Sequence, residues 1–335
     1  MGRADRTKKF FTATKLGLLA VIAVIAVQAF QLSSMKSQLA ALGLATGGIH
    51  NALVDCEAGD TISQILNSPA GSAPQLHITI SGTCSENVVI RRDDVTLKGK
   101  TQADGVQGNI ALLVTSGAAR FRVESLTLQG KFAGLICSYG SSVVASDIIV
   151  NNSLRGVSAF YNGSCALENS VLSNNTQGIV VGDSGNIRVR GSTIERNVIG
   201  ASVFTNGALT LDRSETVPQT NVSQNYVGVD ISSGGSLRPV STSISNNQKD
   251  GLVVSSNGSV YVAKHYVAEI SNNGEDGIDL SDNGFIKLLP NIKVSGNQAF
   301  GVNCIQNGVI QKLEASGHAV TDNANSDFAE LCGID

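Results

Sequence analysis

The sequence predicts an all-β solenoid, a single-stranded parallel β-helix built from three-strand coils of about 22–28 residues. Three observations predict it. Glycines recur in step at Gly134, Gly156, Gly178, Gly200, Gly228, Gly251, Gly277 and Gly301, with gaps of 22, 22, 22, 28, 23, 26 and 24 residues. Each leading glycine precedes an apolar–x–apolar triplet, such as Ile179-Val180-Val181 or Ile278-Asp279-Leu280. From Gly156 onward a second glycine follows seven residues later (Gly163, Gly185, Gly207, Gly235, Gly258, Gly284, Gly308) and opens another alternating run.

Composition agrees. The 335 residues include 36 glycines, 5 prolines and no tryptophan, and only 15% are charged. Strand formers mixed with turn formers suit many short strands joined by tight corners. An apolar fraction of 42% is enough to fill a long core, and a formal charge of −3 excludes a general nucleic-acid binder.

In chain order, residues 1–30 read as a signal peptide or signal anchor. Arg3, Arg6, Lys8, Lys9 and Lys15 precede the apolar run Leu16–Phe30, and Val27-Gln28-Ala29 is a candidate cleavage site. The bulk of the chain is therefore expected to be exported, to the periplasm, the cell envelope or the exterior. Membrane contact is expected only through an uncleaved N-terminal segment. Residues 31–53 read as a linker or short helix, with Leu32, Met35, Leu39 and Leu42 at helical spacing. Residues 54–335 read as the β-helix with a cap at each end. Asp60–Leu66 suggests a short capped helix with Asp60 as N-cap.

Six cysteines fall into sequential pairs, Cys56/Cys84, Cys137/Cys165 and Cys304/Cys332, each 28 residues apart. In an oxidising compartment this spacing predicts three disulfides in that order. No metal or cofactor motif is present: there is no Cys-x-x-Cys and no Cys–His zinc spacing.

Alternation assigns faces. Positions one and three after a leading glycine point inward, from Leu135/Cys137 to Val302/Cys304. The position between them points outward and carries Asp230 and Asp279 two coils apart. In the next strand Ile187, Leu209, Leu237, Val260, Ile286 and Ile310 point inward, and Arg188, Thr210, Arg238, Tyr261, Lys287 and Gln311 outward. Glycine and asparagine are expected at corners because they tolerate positive φ. The column Asn152, Asn174, Asn197, Asn225, Asn247, Asn273 and Asn297 is expected to stack from coil to coil.

The G-h-x-h repeats, the Asn-Asn turns and Ile80-Ser81-Gly82-Thr83-Cys84-Ser85-Glu86-Asn87-Val88 resemble the right-handed parallel β-helix proteins of the pectate-lyase-like superfamily, especially exported bacterial β-helix repeat proteins. The likeness spans about residues 56–332. It implies right-handed coils and frequent association with polysaccharides. The motifs of that superfamily's enzymes are not matched: neither Asn-Thr-Asp nor Gly-His-Gly occurs, Gly317-His318-Ala319 departs from the latter, and Asp-Pro-His-Asp is absent.

Two candidate sites follow. Asp230 and Asp279 are the best paired carboxylates for acid–base work, at roughly 9–10 Å if coils rise by about 4.8 Å. The outward column Arg188, Arg238, Tyr261 and Lys287, with Arg213, Lys264 and His265 in the longer corners beside it, suits an acidic polysaccharide or cell-envelope glycan through ion pairing and stacking. The leading functional expectation is a non-catalytic, polysaccharide-contacting envelope protein. The alternatives are a polysaccharide lyase, epimerase or hydrolase with unrecognised catalytic residues, and a structural or adhesive scaffold.

Overall fold

A computed structural model describes residues 48–214, 216, 219–262, 267–288, 292–312, 319–329 and 332. The N-terminal segment and linker up to residue 47, together with Lys264, His265 and His318, lie outside the described residues. Among the described residues, 48–50 and Leu66–Leu76, with a 3-10 turn at Pro69–Ser72, fall in one compact unit; Asn51–Ile65 and the chain from His77 onward form the other.

The larger unit is a parallel β-solenoid of about 11 turns. One coil illustrates the later ones: Gln177–Val181 lies in a first sheet, Asn186–Arg190 in a second and Thr193–Glu195 in a third, whereas in the early coils Gly105–Val114 and Thr127–Ser138 run unbroken from the third into the first. Each strand pairs in parallel with its counterpart one coil on, as in Ile179↔Ala201, Ile187↔Leu209 and Ile194↔Val222. Side chains at the expected inward positions stack into one continuous core, from Leu135 through Ile179, Val229 and Ile278 to Val302, all fully buried. Such like-on-like burial removes apolar area from water at every coil.

The three bridges form as the spacing predicts: Cys56–Cys84, Cys137–Cys165 and Cys304–Cys332. No described cysteine is free.

The corner chemistry differs from expectation in three ways. First, Gly140, which opens the second column one residue short, takes positive φ (72°), but the later members of both columns do not. That conformation is taken by neighbours such as Asn206 (φ 57°) and Asn257 (φ 62°). The leading glycines are required by crowding: a Cβ on Gly228 would meet the Gly251 carbonyl oxygen at 2.4 Å and the Asn247 side-chain amide at 2.9 Å. Second, the ladder runs through buried Asn175, Asn197, Asn225, Asn247, Asn273 and Asn297 to half-buried Asn323, and excludes Asn152 and Asn174. The side-chain amide of Asn225 donates to Ile194 O (3.0 Å) and Asn247 Oδ1 (3.1 Å), and its own Oδ1 accepts from Asn197 N (2.9 Å). Asn152 and Asn174 stand one position earlier, at φ 54° and 57°. Their short polar side chains suit that left-handed conformation. Third, the helix Ile62–Leu66 is capped by Thr61, not Asp60. Thr61 Oγ1 accepts from Gln64 N and Gln64 Oε1 from Thr61 N, both at 3.2 Å. The Glu86 carboxylate accepts from Ile62 N at 2.6 Å and Ser63 N at 3.1 Å.

Candidate functional site

The second sheet presents the column that alternation assigns. Arg188 pairs with Thr210, Thr210 with Arg238, and Tyr261 with Lys287. Their environments differ. Arg188 is neutralised by Asp212, with Nη2 to Oδ2 at 2.6 Å, and the same carboxylate accepts from Arg213 N at 2.8 Å. Arg238 is exposed. Tyr261 is 52% exposed, and Lys287 Nζ lies 5.9 Å from its ring centroid. The column thus narrows to Arg238, Tyr261 and Lys287 in three consecutive coils, with Arg213 exposed at the corner beside Arg188.

The first sheet carries charge of the opposite sign on its outer face. Asp230 pairs with Val253, Val253 with Asp279, and Asp279 with Asn303, so the two aspartates share a column with one valine between them. Asp250 and Asp276, each just before a leading glycine, join them. The chain bends at that glycine, so the side chain before it meets the outward side chain two positions after the next coil's glycine. Gln177 Nε2 reaches Ser202 Oγ in this way at 2.9 Å, and Asn303 Nδ2 reaches Asp276 Oδ2 at 2.9 Å and Asp279 Oδ1 at 3.3 Å. Asp250 Oδ1 accepts from Asp276 N at 2.9 Å and Asp276 Oδ1 from Phe300 N at 2.8 Å.

Burial raises the affinity of this patch for protons, and like charges add to it at Asp250, Asp276 and Asp279. Burial, followed by the charges of Asp250, Asp276 and Glu275, lifts the Asp279 carboxyl to about 6. Burial also raises Asp230, Asp250 and Asp276 above the usual carboxylate range. Asp250 and Asp276 escaped the sequence reading because a strict two-residue alternation skips the position before the glycine. The signal was there: that column reads Arg155, Gln177, Ile199, Val227, Asp250, Asp276, Phe300, with aspartate in two adjacent coils.

Among the described residues no cluster of His, Cys, Asp or Glu has the geometry of a metal site. Asp93-Asp94, an acidic dipeptide outside both sites, is engaged by Arg120, whose Nε donates to Asp94 Oδ1 at 2.7 Å and whose Nη2 donates to Asp93 Oδ2 at 3.2 Å.

The family model described as "Right handed beta helix region" matches residues 76–216. The A-module of the Azotobacter vinelandii mannuronan C-5 epimerase AlgE4 superposes with a TM-score of 0.55 at 14% identity, over 82% of this chain and 91% of that one. An alginate lyase from Paenibacillus sp. str. FPU-7 gives a TM-score of 0.47 at 13% identity, over 84% of this chain and 97% of that one. No curated protein sequence matches the chain. The epimerase superposition and the matched region agree with the strand pairing on the fold, a right-handed parallel β-helix.

Proposed function

We propose that this chain is an exported, non-catalytic protein that holds an acidic polysaccharide or cell-envelope glycan along the outer face of its second sheet. One observation carries the reading. Arg238, Tyr261 and Lys287 stand outward in consecutive coils, exposed or half-exposed, with the lysine against the tyrosine ring. The coil rise of about 4.8 Å is comparable with one sugar unit of an extended chain. Two cations flanking an aromatic ring supply charge for carboxylates and a surface for a sugar ring. The three disulfides fit an oxidising compartment. Replacing Arg238 and Lys287 together by alanine tests the reading. Retention on an immobilised acidic polysaccharide is expected to fall at least fivefold with the melting temperature unchanged; undiminished retention contradicts it.

A second reading, a polysaccharide lyase, epimerase or hydrolase, is favoured by the carboxylate patch. A carboxyl titrating at about 6 is suited to general acid–base catalysis near neutral pH. New reducing or unsaturated ends released from a polysaccharide by the wild-type protein, and lost in Asp279→Asn, would establish it.

A further inference from the structure

At the corner joining the third sheet to the first, the chain leaves an open groove of about 1000 Å³ along the solenoid axis. Each coil builds it from a three-residue turn. The middle residue is buried: it is Asn175, Asn197 or Asn225 of the ladder, or Ser153, whose N–H donates to Asn175 Oδ1. The two flanking residues stand on either side of it. After the ladder residue come Leu154, Thr176, Val198 and Tyr226; Leu154, Val198 and Tyr226 are 44%, 51% and 44% exposed. Before it come Asn152, Asn174, Arg196 and Gln224, all at positive φ between 54° and 57°. One side of the groove is therefore largely apolar and the other is largely amide.

This surface is not explained by folding. The ladder side chains between the two flanks satisfy the buried backbone, and exposed Leu154, Val198 and Tyr226 add nothing to the core. Tyr226 is held in place, with Lys249 Nζ 5.7 Å from its ring centroid and the same amine 2.8 Å from Glu275 Oε1. Charge in the groove is sparse. No carboxylate lines it, and its cations are Lys131 and Arg196. Arg196 is already paired with Glu195 at 3.0 Å and donates Nε to Gln224 Oε1 at 3.1 Å.

From these features we infer a second ligand site, separate from the second-sheet column, that takes a linear neutral polysaccharide lying along the axis. A pyranose has an apolar ring face and a hydroxyl edge, which matches an apolar side opposite an amide side. Amides both donate and accept, as hydroxyls require, and tyrosine offers a stacking surface with a polar tip. An acidic chain would present a charge at each sugar, whereas amides occupy the polar flank at Asn152, Asn174 and Gln224. The lining spans six coils, from Lys131 to Gln248. Five rises of about 4.8 Å give a length of about 24 Å, room for a chain of several sugars.

Calorimetric titration tests the site. The probes are neutral hexasaccharides of β-1,4-linked glucose, mannose and N-acetylglucosamine, with the matching disaccharides and a mannuronate hexamer. At least one neutral hexamer is expected to bind tenfold or more tightly than its dimer. Its affinity should change less than twofold between 0.1 and 1 M NaCl, fall tenfold or more in Val198→Ser with Tyr226→Ala, and persist in Arg238→Ala with Lys287→Ala. Should the Val198/Tyr226 variant fail to fold, Asn174→Asp on the opposite flank is measured instead, with the same tenfold loss expected. The site is overturned if no neutral hexamer binds, if hexamer and dimer bind alike, if only the mannuronate hexamer binds, or if the groove variants bind as wild type does. Loss of neutral-hexamer binding in the Arg238/Lys287 variant also overturns it. Retention of the acidic polymer through Arg238 and Lys287 is a separate readout, so either site can fail alone.

Discussion

Asp279→Asn is expected to stabilise the protein at neutral pH. The ionised carboxyl is held in a half-buried patch beside Asp250, Asp276 and Glu275, and its proton affinity is raised from the ordinary 3.8 to about 6. A displacement of this size corresponds to at most about 3 kcal/mol. Partial exposure and salt screening reduce it to about 1–2 kcal/mol. The sign follows from proton binding. Between pH 3.8 and about 6 the native state holds a proton that the unfolded state has released. Stability therefore falls as pH rises through this window and stays low above it. Asparagine keeps the shape and the oxygen that faces Asn303 Nδ2 at 3.3 Å, and removes the charge. Urea unfolding from pH 4 to 8 reads the result. The variant should exceed wild type by about 1–2 kcal/mol at pH 7.5, with the difference shrinking toward pH 4. A variant less stable than wild type at pH 7.5, or a gap that does not vary with pH, would refute the reasoning.

Three further changes probe the coil. Ile278→Asp places a charge at a fully buried position with Leu252 and Val302 in the adjacent coils, and should cost more than about 4 kcal/mol or prevent folding; a melting temperature within a degree or two of wild type would contradict the inward column. Asn225→Ala removes the acceptor of Asn197 N and the donor to Ile194 O, both buried, and is expected to cost about 3 kcal/mol in chemical denaturation; a loss below about 0.5 kcal/mol would remove the ladder's structural role. Gly228→Ala drives a methyl to 2.4 Å from the Gly251 carbonyl oxygen. It should destabilise by more than about 2 kcal/mol, and a neutral or stabilising outcome would contradict the crowding argument.

The fold was legible because each coil repeats the same demands. A core strand needs apolar residues at every second position, and the columns at Ile179, Val229 and Ile278 display that need in coil after coil. The bridges were legible from their equal spacing, since the 28-residue step, a coil and a little more, brings the partners to Cα separations of 4.9, 6.2 and 5.0 Å. The reason for the glycines was not legible. Crowding by the next coil's carbonyl is a three-dimensional contact, and a glycine looks the same in sequence whether it avoids a clash or adopts positive φ. The ladder was misread in its first coils because Asn174 and Asn175 are adjacent and identical; only the one pointing inward stacks. Outward Arg188, Arg238, Tyr261 and Lys287 could be assigned by alternation, but the pairing of Arg188 with Asp212 could not, because Asp212 lies 24 residues away in the next coil. Asp250 and Asp276 were missed because the bend at the glycine breaks the two-residue period.

The central claim is that exposed charge on the second sheet holds an acidic glycan. Its most direct test is the affinity of the wild-type protein for a linear acidic polysaccharide from 0.1 to 1 M NaCl, with product ends followed in the same samples. Screening shortens from about 10 Å to about 3 Å over that range. Binding at 0.1 M that weakens at least tenfold by 1 M, with the polysaccharide recovered intact, is the predicted result. No binding at 0.1 M, binding indifferent to salt, or a polysaccharide cleaved or epimerised in the process would contradict it.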